Sequence, residues 1–161
     1  MRTGEAVRLA EIIPAGQIVP ELEAREKEAV IGELVGALGS SGALAEERTG
    51  EALEAVLERE KLGSTGIGNG VAVPHAKLSG LEGVVGALGK APGGIDFDSL
   101  DGAPVRSVFL FLSPEETPDA HVTLMSRFVS LIRKPDFLNF LDQTHGREAL
   151  HDLLAEVDGW E

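Results

Sequence analysis

The sequence of 161 residues contains no cysteine. Disulfide bridges, thiolate metal sites and cysteine nucleophiles are therefore excluded together. The chain also contains no apolar run close to the roughly 18 residues that a membrane-spanning helix needs, and its first residues lack the apolar core of a signal peptide. From these absences we expect a protein that does not insert into a membrane and that works in the cytoplasm.

Basic residues are scarce in this chain, with 14 Lys and Arg against 27 Asp and Glu and a formal net charge of −13. Such a surface repels nucleic-acid phosphates, and no basic patch interrupts it, so we expect no nucleic-acid partner. The acidity would instead steer a basic protein partner, although solubility alone explains it equally well. The length suits a single domain over residues 1–161, with its core at about 8–156.

Hydrophobic periodicity predicts an α/β fold with a mixed central sheet flanked by helices. Apolar residues recur at helical spacing over residues 25–39 and again from about Glu46 to Arg59. Residues 84–88 and 105–112 are β-branched and apolar, and the second segment is apolar almost throughout, which predicts a strand buried on both faces. Three more helices are predicted: one opening at Pro118, one at about 136–141 and one at about 146–155.

The most informative stretch runs from Leu62 to Lys77 and contains four glycines within eight residues. Glycine-rich backbone can adopt positive φ and bring N–H groups close to an anion. The apolar residues 71–73 and the fixed φ of Pro74 would then hold the imidazole of His75 in a defined place. The combination indicates a histidine that carries a phosphoryl group. A P-loop and a dinucleotide fingerprint fit this stretch less well. The alternative is a flexible loop that leads into a strand whose histidine merely packs, because a motif match is only a hypothesis.

A family resemblance supports the first alternative. The run from Arg59 to Gly70 (REKLGSTGIGNG), continued through Pro74 and His75, closely resembles enzyme IIA of the bacterial phosphoenolpyruvate:sugar phosphotransferase system. The resemblance is to the fructose/mannitol type, and to its nitrogen-regulatory branch in particular. It extends over most of the chain, through the segments Ile18–Leu38, Gly93–Phe111 and His121–Leu141. One departure is Ala76, where the nitrogen-regulatory pattern often has glycine.

The resemblance implies a role for each residue of the site. His75 would accept a phosphoryl group on Nε2 from the phosphohistidine of an HPr-type carrier, and a IIB-type protein or a regulated target would follow it. His121 matches the family's second active-site histidine, and Arg59 matches an arginine that pairs with phosphate. On spacing alone, both would be explained as solvent-facing residues at helix ends. The expected phosphate-binding residues are Ser64, Thr65, Gly66, Gly68 and Gly70.

Further expectations concern the surroundings of the two active-site histidines. Asp119 precedes His121 closely enough to set its tautomer, and residues 71–73 would form an apolar rim against which a carrier docks. No cofactor and no metal are expected, because phosphoryl transfer between histidines needs neither. His145 and His151 on the last helical region complete no short metal-ligand motif.

The sequence thus predicts a phosphocarrier made of a single IIA domain, with a nitrogen-regulatory protein favoured over a separate subunit of a fructose- or mannitol-type transporter. Two alternatives come from other classes of protein. One is a regulatory binding module whose His75 no longer accepts a phosphoryl group, and this would predict a damaged glycine loop. The other is a metal-dependent hydrolase, which would need carboxylates placed among the histidines.

Overall fold

The computed structural model describes residues 8–160, and within them a six-stranded mixed sheet forms the centre of the molecule. The strands run in the order β1-β5-β6-β3-β2, and β4 also pairs with β6. Their bounds are β1 Ile18–Val19, β2 Gly66–Gly68, β3 Val71–Ala72, β4 His75–Leu78, β5 Val85–Ile95 and β6 Val105–Pro114.

Strand β6 is the axis of the sheet. On one side it pairs antiparallel with β5, and on the other it pairs in parallel first with β3 and then with β4. Val71 lies opposite Ser107 and His75 lies opposite Phe111, so β3 and β4 follow one another along the same edge of β6. Since only residues 73–74 separate these two short strands, the backbone at His75 is fixed by its pairing with the central strand.

Helices cover both faces of the sheet. They are α1 Leu9–Ile12, α2 Lys27–Ser40, α3 Thr49–Lys61, α4 Pro118–Ile132, α5 Pro135–Gln143 and α6 Arg147–Val157. Helices α2 and α3 pack on one face, against Val108, Leu110 and Leu112 of β6. The other four helices pack on the opposite face, against Phe109 and Phe111. This alternation confirms the prediction that the strand is buried on both faces.

The predicted fold class is confirmed, and the differences lie at element boundaries. Helix α3 begins at Thr49 rather than Glu46, because residues 46–48 form a separate 3₁₀ turn closed by the Thr49 hydroxyl, which donates to the Glu46 carbonyl at 2.8 Å. Strand β5 continues to Ile95 because its register shifts after Lys90, which accommodates a proline and two glycines within the strand. Within residues 8–160, every helix is too short or too polar to cross a membrane.

Candidate active site

His75 is placed by the chain on both sides of it. Val73 is buried at 4% exposure, and the carbonyl of Pro74 accepts the N–H of Phe111 at 3.1 Å, which attaches this turn to β6. Because Pro74 fixes φ and β4 begins at His75, the side chain leaves the sheet edge in one direction. His75 itself is only partly buried and therefore accessible.

The tautomer of His75 follows from one hydrogen bond. Its Nδ1 lies 2.8 Å from the carbonyl oxygen of Val73. A carbonyl oxygen can only accept, so Nδ1 carries the proton and donates it, and Nε2 keeps its lone pair. Burial lowers the pKa of His75, and the positive charges of Arg59 and Lys77 lower that pKa further, although the Val73 hydrogen bond and Glu60 act in the opposite direction. The imidazole is therefore neutral at pH 7, with a free lone pair on Nε2.

His121 stands beside His75, with 5.1 Å between the ring centroids and 36° between the ring planes. It lies in the first turn of α4, a helix that opens with Pro118 at the first position, where a missing N–H costs nothing. Its Nδ1 is 3.1 Å from the hydroxyl oxygen of Ser113, a fully buried residue of β6. Burial, the neighbouring His75 and the charges of Lys77 and Arg59 lower the pKa of His121.

Arg59 reaches the same place from the last turn of α3, and its guanidinium donates to the carbonyl of Gly63 at 3.0 Å. A pocket of about 340 Å³ lies between α3, β4 and α4. Its lining residues are Ala55, Arg59, His75, Ala76, Lys77 and His121. The structure therefore brings together the three side chains predicted as catalytic, and it places the positive charges of Arg59 and Lys77 beside the two histidines in an otherwise acidic chain.

Sequence reasoning missed two members of this site. Lys77 lies two residues after His75 on β4, and side chains two apart on a strand share a face, so the spacing was a usable signal once β4 was known. Ser113 had no such signal, because its position follows only from the parallel pairing of β4 with β6, in which Lys77 lies opposite Ser113. Asp119 is exposed and Ser113 is the group that contacts Nδ1 of His121, so the predicted role of Asp119 is wrong.

Several donors of the predicted phosphate-binding loop have partners within the protein. The hydroxyl of Ser64 donates to the carbonyl of Phe97 at 2.5 Å, and that of Thr65 donates to the carboxylate of Glu60 at 2.6 Å. The N–H of Thr65 also goes to Glu60, and that of Gly66 goes to Ser64. These donors are used inside the loop, and no residue of the loop lines the pocket of about 340 Å³.

The glycines of the loop have structural reasons instead. Gly68 and Gly70 adopt φ values of +100° and +76°, which allow the tight reversal between β2 and β3. Gly66 packs so closely on Ser99 that an added Cβ would collide with its side chain and backbone. The glycines are thus explained by the hairpin of β2 and β3, and the binding of phosphate by this loop stays a prediction.

The predicted apolar docking rim at residues 71–73 is also wrong, because Val71, Ala72 and Val73 are at most 4% exposed and belong to the core. The exposed apolar side chains nearest the site in sequence are Leu62, at 85% exposure three residues after Arg59, and Val122, at 63% beside His121. Leu62 follows directly after the last residue of α3, and Val122 lies near the start of α4 on a face that is not packed.

The other two histidines lie apart from the pocket. His145 precedes α6 in an exposed segment, and Nε2 of His151 contacts the carbonyl of Ala10 at 2.8 Å. Within residues 8–160, no three side chains of histidine, aspartate or glutamate converge as ligands for a metal ion.

Comparison with known proteins places this geometry in a family. The model of the "Phosphoenolpyruvate-dependent sugar phosphotransferase system, EIIA 2" family matches residues 11–157. A nitrogen regulatory protein of Bradyrhizobium diazoefficiens is 35% identical over 151 residues, which cover 91% of this chain and 94% of that protein. The fructose-specific EIIABC component of Bacillus subtilis is 32% identical over 152 residues, covering 94% of this chain but only 24% of that protein.

A solved structure gives the same result for the fold. The nitrogen regulatory protein IIA-Ntr of Neisseria meningitidis superposes with a TM-score of 0.80 at 29% identity, covering 91% of this chain and 98% of that one. The chain belongs to the EIIA 2 family of the phosphoenolpyruvate-dependent sugar phosphotransferase system, and it is a phosphocarrier of the EIIA type.

Proposed function

We propose that His75 is the phosphoryl acceptor and that the phosphoryl group bonds to Nε2. The observation that carries this proposal is the hydrogen bond from Nδ1 to Val73, since it leaves the Nε2 lone pair free in an accessible pocket. In the transfer, this lone pair attacks the phosphorus of a phosphohistidine on the donor. The donor's N–P bond breaks, and its electron pair stays on the donor ring. The phosphorylated donor ring carries a proton on its other nitrogen and is therefore positive, and it becomes neutral when the phosphoryl group leaves. His75 keeps its own proton on Nδ1, donated to the Val73 carbonyl, so its ring takes up the positive charge.

The lowered pKa of His75 supports the same role. A protonated imidazole has no lone pair at Nε2 and cannot attack phosphorus. Since burial and two neighbouring cations lower this pKa, the neutral, reactive ring persists to pH values below the ordinary pKa of histidine. The cations that lower the pKa of His75 also attract the dianionic phosphoryl group. The same charges thus keep the ring neutral and stabilise the group that it accepts.

Arg59 and His121 complete the proposed catalytic residues. The guanidinium of Arg59 provides planar donors that match phosphoryl oxygens. If the Ser113 hydroxyl donates to Nδ1 of His121, the proton of the neutral ring lies on Nε2, where it can donate to the phosphoryl group. Phosphoryl transfer demands positioning and charge stabilisation, which this set supplies, and no cofactor enters the proposal.

The proposed partners are an HPr-type phosphohistidine carrier as donor and a IIB-type protein or a regulated target as acceptor. The Bacillus subtilis relative supports a IIB-type partner, because its name joins A, B and C components in one protein. Exposed Leu62 and Val122 suit docking by apolar contact around the pocket, which would exclude water from the transferring group. The same proposal places the protein in the cytoplasm, where such carriers work.

Between the branches of the family, we favour a nitrogen-regulatory protein that acts as a single IIA domain. The support is the alignment with the Bradyrhizobium protein, which spans nearly the full length of both chains. A separate IIA subunit of a fructose-type transporter is the second candidate, since the fructose-specific relative is almost as similar over 152 residues.

The acceptor role is tested by incubating the protein with phosphoenolpyruvate, enzyme I and an HPr-type carrier, followed by intact-mass measurement. We expect one added phosphoryl group, lost in mild acid as from a phosphoramidate, and none in His75→Ala. His145→Ala is the matched control, because this exposed histidine lies outside the pocket and its loss should leave labelling complete. Labelling of His75→Ala at full stoichiometry, or an unlabelled wild-type protein, contradicts the proposal.

The branch is tested by adding purified IIB-type proteins to the phosphorylated chain. A nitrogen-regulatory protein should keep its phosphoryl group on the time scale of a transport reaction. Fast transfer to a fructose- or mannitol-type IIB protein would instead identify a transport subunit.

A further inference from the structure

A buried carboxylate lies directly behind the active site. Glu60 follows Arg59 in the last turn of α3 and is only 8% exposed. Its two oxygens accept the N–H of Thr65 at 2.9 Å and the Thr65 hydroxyl at 2.6 Å, and they form an ion pair with Nζ of Lys27 at 2.7 Å. Burying a carboxylate is unfavourable unless it is paired and hydrogen-bonded, and this one is satisfied by three donors.

A chain of hydrogen bonds leads from Thr65 through Val73 to His75. The carbonyl of Thr65 accepts the N–H of Val73 at 2.9 Å, and the carbonyl of Val73 accepts the Nδ1 proton of His75 at 2.8 Å. Val73 is therefore held at both ends, by Thr65 through its N–H and by the imidazole through its carbonyl. The Thr65 carbonyl is thus one of the groups that hold the residue whose carbonyl sets the tautomer.

Glu60 also ties the turn of α3 that carries Arg59 to its surroundings. Lys27 belongs to the first turn of α2, so its ion pair with Glu60 ties α2 to the end of α3. Its Nζ lies 5.3 Å from the ring centroid of Phe97, whose carbonyl accepts the Ser64 hydroxyl. The turn that carries Arg59 and the hairpin that leads to His75 are thus attached to one buried group.

We propose that Glu60 is a positioning residue for phosphoryl transfer. Held by Lys27, it places Thr65, and through Thr65 and Val73 it keeps the proton of His75 on Nδ1, while it also fixes the turn of α3 from which Arg59 reaches the pocket. This inference rests on the proposed function of His75. Glu60 does not line the pocket and has no contact with the phosphoryl group in the role proposed.

Two measurements on Glu60→Ala test the proposal. The first is the tautomer of His75 in the unphosphorylated protein at pH 8, read from long-range proton–nitrogen correlations of the imidazole ring. The second is the single-turnover rate of phosphoryl acceptance. We expect the wild-type ring to be protonated on Nδ1 and the variant to show a mixture of tautomers. The rate should fall by about tenfold to a hundredfold, as expected for a displacement near 1 Å at a reacting group.

Matched variants separate positioning from general stability. Glu58→Ala removes an exposed carboxylate from the same turn of α3, where Glu58 pairs with Lys61, and should change neither measurement. Glu60→Gln keeps an acceptor oxygen for the Thr65 N–H and should recover part of the tautomer preference and of the rate. If Glu60→Ala does not fold, Thr65→Val removes one of the hydrogen bonds to Glu60 and should shift both measurements in the same direction by less.

Each outcome decides a separate claim. A wild-type tautomer and a wild-type rate in folded Glu60→Ala overturn the positioning role, and so does the absence of any shift in Thr65→Val. A slowed rate with an unchanged tautomer also overturns the path through Val73. If the tautomer shifts as expected but the wild-type protein accepts no phosphoryl group, the control of the His75 tautomer by Glu60 stands, whereas the proposed function of His75 fails.

Discussion

The ion pair of Lys27 and Glu60 should stabilise the fold far more than an ion pair on the surface. We consider Lys27→Met, which keeps an apolar side chain against Phe97, and Glu60→Gln, which keeps the shape of the carboxylate, together with the double variant. The two charged atoms are 2.7 Å apart, and the side chains are 18% and 5% exposed. Little water therefore screens the pair.

The size of the effect follows from this burial. A hydrogen bond to a charged group contributes about 1.5–3 kcal/mol, and leaving a fully buried charge without its partner costs about 3–5 kcal/mol. Because Lys27 remains partly exposed, we expect a coupling free energy at the lower end, about 1.5–2.5 kcal/mol. At about 2–4 °C per kcal/mol for a chain of this size, Lys27→Met should lower Tm by several degrees.

The assay is urea unfolding of the four proteins, followed by circular dichroism. The control is the ion pair of Glu58 and Lys61, which spans 3.2 Å with both side chains more than 60% exposed, and a pair of that kind contributes about 0.3–0.5 kcal/mol. A coupling of Lys27 with Glu60 no larger than that of the control pair would show that Glu60 is well solvated, and it would refute the reasoning that makes it an anchor.

Three more predictions concern the site and its support. The rate of phosphoryl acceptance should fall to half only below pH 6.5, because burial and two neighbouring cations lower the pKa of His75 and delay protonation of the attacking ring; a single-turnover rate that halves at or above pH 6.5 would contradict this. Arg59→Ala should slow acceptance by about ten- to a hundredfold in the same assay, and a wild-type rate would remove Arg59 from the site. Gly66→Ala should lower the free energy of unfolding by about 1–3 kcal/mol because its Cβ meets Ser99, whereas Gly83→Ala, which meets nothing within 4 Å, should not.

Much of the fold could be derived from local pattern. Strand β6 is apolar at almost every position because both of its faces are buried, and this signal needs no knowledge of its partners. Pro118 marks the first residue of helix α4, and Pro135 marks the first residue of α5. What could not be derived was the division of residues 66–78 into three short strands, because pairing partners more than 30 residues away define each of the last two.

The site divides in the same way. The glycines and the Pro-His pair pointed to His75, whereas His121 and Arg59 were predicted only through the family resemblance, since spacing alone left both as surface residues. The structure places all three side chains around one pocket. Ser113 and Glu60 were missed because their roles depend on contacts between distant segments. The glycine-rich loop pointed to phosphate, yet the N–H groups of Thr65, Gly66 and Asn69 donate to Glu60, Ser64 and Asp101. A composition that suits an anion also suits a tight hairpin.

The central claim is that Nε2 of His75 carries the phosphoryl group, and the most direct measurement is nitrogen and phosphorus NMR of the phosphorylated, ¹⁵N-labelled protein. We predict coupling between phosphorus and Nε2 of His75, with the proton of the ring still on Nδ1 and bonded to Val73. Coupling of phosphorus to Nδ1 of His75, or to a nitrogen of His121, would contradict the account.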